Sequence, residues 1–190
     1  MANTPQSSTP PHRTICYHGT GRTLTAMGQA AMGTRGAQSL GLRLAVEDII
    51  RGVTQRDLLS QIAAIYYWYL AHQSYVRDPL PVELVRDPMA VIEAVQRHGR
   101  FLGDCDCAAT FITGALGSIG IQARPIRVSF VKPRWVSQRG PLGGTSLKLQ
   151  HAPYSHVLVE ARDQRGQKVA VDPVAGLRTA RMLRRTKRFG

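Results

Sequence analysis

Gly103-Asp104-Cys105-Asp106-Cys107-Ala108-Ala109 carries two thiols and runs directly into a helix-like apolar pattern. Asp104 is a natural N-cap, which places Cys105 in the first helical turn. The N–H groups of that turn have no intrahelical acceptors, and with the helix dipole they favour an anion. A thiolate is such an anion, so the expectation is a Cys105 pKa below the ordinary thiol value. Two readings follow from these seven residues alone. One is a reactive thiol, and the other is half of a metal site built on Cys105 and Cys107.

Downstream, Ala108, Phe111 or Ile112, Ala115 and Ile119 fall on one helical face, and Gly120 sits where a C′ glycine belongs. Ala108, Ala109, Gly114, Ala115 and Gly117 are small, as suits a helix packed tightly against a sheet. Upstream, Leu42, Val46, Ile49, Ile50 and Val53 recur at helical spacing, with an end or weakening at Gly52. Thr54-Gln55-Arg56-Asp57 has the form of a helix start, and Leu58, Ile62, Ile65 and Tyr69 follow on one face to about His72. Tyr66-Tyr67-Trp68-Tyr69 reads at that spacing as core, not as a ligand platform. Residues 80–85 are extended. Asp87-Pro88 reads as N-cap plus first helical residue of a short helix that stops at His98-Gly99.

Beyond the opening helix, residues 122–131 alternate like a strand, and 132–153 read as a long loop with prolines and basic residues. Residues 154–161 form a second strand, Asp163 to Gly166 the turn, and residues 167–171 its hairpin partner, ending at Asp172-Pro173. Period-2 alternation allows His156 and Asp172 to face the same side of this hairpin.

At 190 residues, 43% hydrophobic and 19% charged, the chain can bury a real core, which excludes global disorder. No apolar run reaches membrane-span length, and the polar start is read as no signal peptide. The expectation is therefore an intracellular setting with reduced thiols, and three cysteines argue against a disulfide framework. The net charge of +13 is uneven: residues 1–129 hold 12 basic against 9 acidic residues, and residues 130–190 hold 13 against 3. Such a region calls for an anionic neighbour or serves solubility. Arg178, Arg181, Arg184, Arg185, Lys187 and Arg188 crowd the C-terminus without an acid. Residues 1–40 are rich in Gly, Ser, Thr, Gln and Pro, and read as an arm without its own core, apart from a short strand at Thr14 to Tyr17.

The order is thus a thiol at a helix start, a histidine in a strand and an aspartate after the hairpin return. Imidazole can take a thiol proton, and an acid on the far ring nitrogen fixes its tautomer. The segment from Gly103-Asp104-Cys105 to Gly120-Ile121-Gln122-Ala123-Arg124 resembles the Cys segment of the transglutaminase-like superfamily. Ser155-His156-Val157-Leu158-Val159-Glu160 and Val169-Ala170-Val171-Asp172-Pro173 resemble its His and Asp segments. Tyr75-Val76-Arg77-Asp78-Pro79 and the run from Gly99-Arg100 to Asp106 are similar to a bacteriophage and prophage branch of that superfamily. Cys107 departs from the branch, which commonly has Asp there.

The resemblance implies an α+β fold with a papain-like, transglutaminase-like core: helices on a small antiparallel sheet, with the nucleophile at a helix N-terminus. It covers residues 54–173, and the domain reading is an arm over 1–40, the transglutaminase-like domain over 41–176 and a basic tail over 177–190. It implies Cys105 as nucleophile, His156 as base and Asp172 as orienter, acting on protein or peptide amide bonds through a thioester as protease, amidase or cross-linker. No cofactor is implied. A metal on Cys105, Cys107 and His156 or His151 lacks a second Cys-x-x-Cys or His-x-x-x-His, and none is assigned. The alternative is a structural phage virion component whose arm and basic tail reach other virion subunits or nucleic acid, with the site vestigial. The corresponding location is the bacterial cytoplasm, with incorporation into a virion.

Overall fold

In chain order the elements are β1 (His12–Cys16), α1 (Thr20–Met32), α2 (Leu40–Ile49), α3 (Leu58–His72), β2 (Gln73–Tyr75), β3 (Val82–Arg86) and α4 (Pro88–His98). β4 (Phe101–Gly103), α5 (Cys105–Ser118), β5 (Ala123–Arg139), β6 (Thr145–Arg162), β7 (Lys168–Asp172) and β8 (Gly176–Thr179) follow. The computed structural model describes the backbone of residues 12–16, 20–78, 82–139, 145–173 and 176–179, and the side chains of residues 22–78, 83–127 and 156–173. The architecture is α+β. An antiparallel sheet of order β5-β6-β7-β8 stands beside a helical half, with antiparallel β1-β3 and parallel β2-β4 as two small pairs.

Everything is built around α5. Residues 106–116 are all buried, and the helix touches α1, α2, α3, α4 and strands of all three sheets. Its small residues make this possible. A Cβ at Gly114 would lie 2.5 Å from Pro88 Cγ and 2.8 Å from the Ala31 carbonyl, so α1 and the start of α4 close onto bare backbone. The sequence pattern predicts one packed face; the helix is in fact enclosed on every side.

The remaining helices follow their signals with one adjustment. Asp57, not Thr54, caps α3, because its carboxylate accepts the Ser60 N–H at 3.1 Å. Ile62, Ile65 and Tyr69 are fully buried, each worth about 1.5–3 kcal/mol or more in removed apolar surface. Tyr69 packs on Phe101 and Phe111 at 4.9 and 5.5 Å between ring centroids, and Trp68 stacks on Phe111, so most of the aromatic run is core. Asp87 caps α4 through the Ala90 N–H at 2.9 Å, with Pro88 in the first turn as expected. Arg35 clamps this helix start by pairing with Asp87 and Glu93.

Three expectations from sequence need correction. Within residues 1–40, β1 pairs with β3 and α1 buries Met27 and Ala31 completely, so this stretch supplies core instead of a free arm. Burial there comes from close approach of small residues, which apolar periodicity does not register. Residues 132–153 are not one long loop, since β5 and β6 continue in register from Ala123 opposite Ala161 to Arg139 opposite Thr145. Backbone pairing carries the strands through prolines that signal a loop. Finally, the start of the basic tail forms β8, with Leu177 opposite Val171. Residues 1–11, His18, Gly143-Gly144 and the rest of the tail from residue 180 lie outside the described residues, as do the side chains of Cys16, Trp135 and His151.

Candidate active site

The N-terminus of α5 is set by Asp104, whose Oδ1 accepts the N–H of Asp106 at 3.1 Å and of Cys107 at 3.4 Å. The preceding residue has to be glycine. A Cβ on Gly103 would sit 2.8 Å from Cys107 Cβ, so the chain enters the helix against its own first turn. The Gly103 carbonyl is held by Gln73 Nε2 at 3.0 Å and by the Val76 N–H at 3.2 Å. The β2-β4 pair thereby fixes where the helix begins.

That start separates the two thiols. Cys107 is 1% exposed, its Sγ–H donates to the Leu84 carbonyl at 3.1 Å, and the Arg86 N–H reaches its sulphur. Burial, then Asp104, raises this thiol to about 12. Cys107 is a bridge between α5 and the backbone of β3. Cys105 is only partly buried.

On the sheet, the register puts Val159 opposite Val171, and its alternation places Asp172 and His156, just beyond that pair, on the same face. Its Nε2 lies 2.8 Å from Asp172 Oδ1. An ionised carboxylate only accepts, so the Nε2–H tautomer donates to it. Both are nearly enclosed, His156 at 4% and Asp172 at 7% exposed, while the alternating Val157, Val159 and Val171 are buried on the other face of the sheet. A polar pair so placed is held in one geometry.

Cys105 faces both structures. The Val157 N–H, one residue from His156, reaches its sulphur, which brings the thiol to β6 beside the histidine. On the other side Cys105 Sγ–H donates to Asp106 Oδ1 at 3.6 Å. The expected lowering of the thiol pKa is not found. Burial, then the charges of Asp106 and Asp104, push Cys105 up to about 12, and the Val157 N–H offsets this only in part. The helix-end potential that favours a thiolate is outweighed by burial first, and then by the carboxylates at the same helix end.

Those carboxylates are a feature the sequence pattern underplays. Asp106 is 6% exposed, and burial, then a hydrogen bond with Glu83, raises it to about 8. Asp104 is also raised, by burial and then by Asp78. Asp78, Glu83 and Asp104 each bring one oxygen within 4.8 Å of the others. Their contacts are with the protein: Asp78 accepts the Leu84 N–H, Asp104 caps α5, and Glu83 meets Asp106. These contacts account for the cluster, and no metal is assigned to it. The signal for Glu83 is a strand position two before buried Val85, where alternation turns an acid inward. His72 is satisfied, its Nδ1 lying 2.7 Å from the Trp68 carbonyl, and His98 is exposed.

No protein-family model matches the chain, and no curated protein does. Among solved structures it is similar to the periplasmic domain of TgpA from Pseudomonas aeruginosa bound to ethylmercury, at 18% identity and a TM-score of 0.44 over 80% of this chain and 49% of that one. It is also similar to a candidate cysteine protease from Cytophaga hutchinsonii, at 14% identity and a TM-score of 0.46 over 88% of this chain and 52% of that one. The chain thus spans about half the length of either structure. Both likenesses are distant, and the reading of the site stands on its own geometry.

Proposed function

We propose that the protein is a transglutaminase-like thiol enzyme of the bacteriophage type, which breaks or exchanges amide bonds through a thioester on Cys105. The observation that carries this reading is the buried His156–Asp172 hydrogen bond lying one residue from the N–H that meets the Cys105 sulphur. Asp172 holds the Nε2–H tautomer, so Nδ1 is the ring nitrogen that exchanges a proton with the thiol. As the sulphur attacks an amide carbonyl, its proton passes to His156. The C–N bond then breaks, and His156 gives that proton to the departing amine. Water or a second amine attacks the thioester, loses its proton to His156 and leaves as acid or new amide, and the thiol is restored. The Cys105 N–H, which Asp104 does not cap, is a donor for the oxyanion.

Because the resting thiol is protonated, proton transfer accompanies attack instead of preceding it. A peptidyl chloromethyl ketone tests this, since it presents an electrophile where the amide carbonyl would sit. The expected result is alkylation of Cys105 in the wild type, none in Cys105→Ala, and a rate at least about a hundredfold lower in His156→Ala, each read at a temperature where the variant is folded. Alkylation of Cys105 that is indifferent to His156 would sink the proposal.

A further inference from the structure

β5 and β6 continue beyond the active site as a two-stranded ribbon. His156 stands opposite Val128, and the pairing runs on residue for residue to Arg139 opposite Thr145. At about 3.3 Å per residue, the ribbon extends roughly 35 Å past His156. Strand alternation divides its residues into two unlike faces. Lys132, Arg134 and Lys148 share the face of His156, whereas Val131, Trp135, Leu147 and Leu149 share the other. No Asp or Glu occurs from Cys107 to Val159, so nothing in the ribbon's own sequence neutralises these cations.

We propose that the His156 face of this ribbon is the docking surface for an acidic, extended segment of the polypeptide substrate. This inference rests on the reading of Cys105 and His156 given above, and names the kind of substrate that site takes. The spacing of the cations fits such an occupant. Lys132 stands opposite Ala152, Arg134 opposite Gln150, and Lys148 opposite Val136, so they occupy three successive levels of one face. Successive levels lie about 7 Å apart, which is also the repeat of alternate residues in an extended chain. Glu or Asp at every second position of the substrate therefore meets one cation each. Ala152, level with the first cation, precedes His156 by four residues. The acids accordingly fall roughly four to eight residues from the amide that reacts.

Charge alone would admit a nucleic acid as well. Continuity with the active site decides for polypeptide, because the basic face ends at the histidine assigned to amide chemistry. Affinity for nucleic acid also grows with each phosphate neutralised, and three cations on a narrow ribbon neutralise few. Exposed charges select partners more than they hold them. The ribbon therefore ranks substrates by sequence and leaves the bond-breaking step to Cys105 and His156.

The experiment measures binding of fluorescein-labelled peptides to the whole chain by fluorescence anisotropy at low salt. One peptide alternates Glu with Thr, and its control alternates Gln with Thr at the same length. The Glu-Thr peptide is expected to bind about tenfold more tightly than the control, and to lose that advantage as salt screens it. Lys132→Gln, Arg134→Gln and Lys148→Gln together should abolish the difference. Arg139→Gln removes a cation of the same ribbon from the other face, and should leave Glu-Thr binding within about twofold of wild type. If the triple variant does not fold, Lys132→Gln and Lys148→Gln singly should each weaken the Glu-Thr peptide by about two- to threefold. Equal binding of the two peptides, or a loss in Arg139→Gln as large as in the variants of the His156 face, overturns the proposal. So does a single-stranded oligonucleotide that outbinds the Glu-Thr peptide and depends on the same three cations, since the face then belongs to nucleic acid. Failure of the underlying reading is seen separately, as chloromethyl ketone labelling of Cys105 that ignores His156→Ala while the Glu-Thr peptide still binds.

Discussion

The sulphur of Cys105 lies between two unlike regions. On the sheet side one buried polar pair, His156 and Asp172, sits on one face of β6 and β7, where strand pairing sets its position. On the helix side Asp106, Asp104, Glu83 and Asp78 crowd together around one N-terminus. The sheet side has one dominant arrangement, in which the His156 Nε2–H donates to Asp172 Oδ1. The helix side has more negative groups than it can ionise together, so protons stay on it into the neutral range. Orientation is thus supplied by β6 and β7, and ionisation of the thiol is opposed by burial and by the carboxylates at the start of α5. A helix N-terminus by itself does not make a thiolate; burial of the sulphur, and then the charge around that terminus, decide.

The largest expected effect is on the sheet side. Asp172→Asn keeps the shape of the pair but lets the histidine take either tautomer, and amide turnover should fall by about 10²–10⁴-fold with little change in melting temperature. A loss below tenfold would mean that the surrounding packing orients His156 without the acid. The helix side responds first through packing. Gly114→Val puts two methyl groups and a Cβ where Pro88 and the Ala31 carbonyl already stand, and should cost roughly 1–3 kcal/mol in chemical denaturation. An unchanged denaturation midpoint would show that α1 and α4 can move apart without loss.

A third test separates the two sides by pH. Asp106 is raised in the folded protein from 3.8 to about 8, so between those values the native state binds more protons than the unfolded chain. Stability should therefore fall as pH rises through that window and level off above it. Asp106→Asn removes the contribution, so the variant should gain on the wild type from pH 4 to pH 8 and run parallel beyond. If the Asp106→Asn and wild-type curves stay parallel from pH 4 to 8, burial of Asp106 is not opposing its ionisation.

Much of this frame is legible in the sequence because its signals are local. Asp87-Pro88 and Asp104 announce their helices through short side-chain-to-backbone bonds, and the turn from Asp163 to Gly166 fixes the register that joins His156 to Asp172. What is not legible depends on distant partners. The burial of Met27 and Ala31 in a Gly- and Ala-rich helix requires α5 to be bare at Gly114. The continuation of β5 and β6 through 132–153 requires each strand to have the other. Likewise the raised Cys105 pKa comes first from burial by distant elements, which the motif does not show, and only then from Asp106 and Asp104, which it does.

The smallest expected effect concerns the thiol two residues away. Cys107 also sits in the first turns of α5, yet its sulphur is occupied by the β3 backbone, donating to the Leu84 carbonyl and meeting the Arg86 N–H. Cys107→Ala removes both contacts and leaves a small gap, which should cost about 1–2 kcal/mol. Cys107→Ser restores a donor and an acceptor on a shorter side chain, so it should recover part of that loss. Neither change alters the charge around Cys105, so peptidyl chloromethyl ketone labelling of Cys105 should stay within about twofold of wild type, well under 1 kcal/mol. The contrast with Cys105→Ala, which ends labelling and spares folding, assigns one thiol to chemistry and the other to structure. A Cys107→Ala variant that folds fully but no longer labels at Cys105 would break that division, because β3 would then be transmitting the position of Cys107 to the reactive sulphur through Glu83 and Asp106.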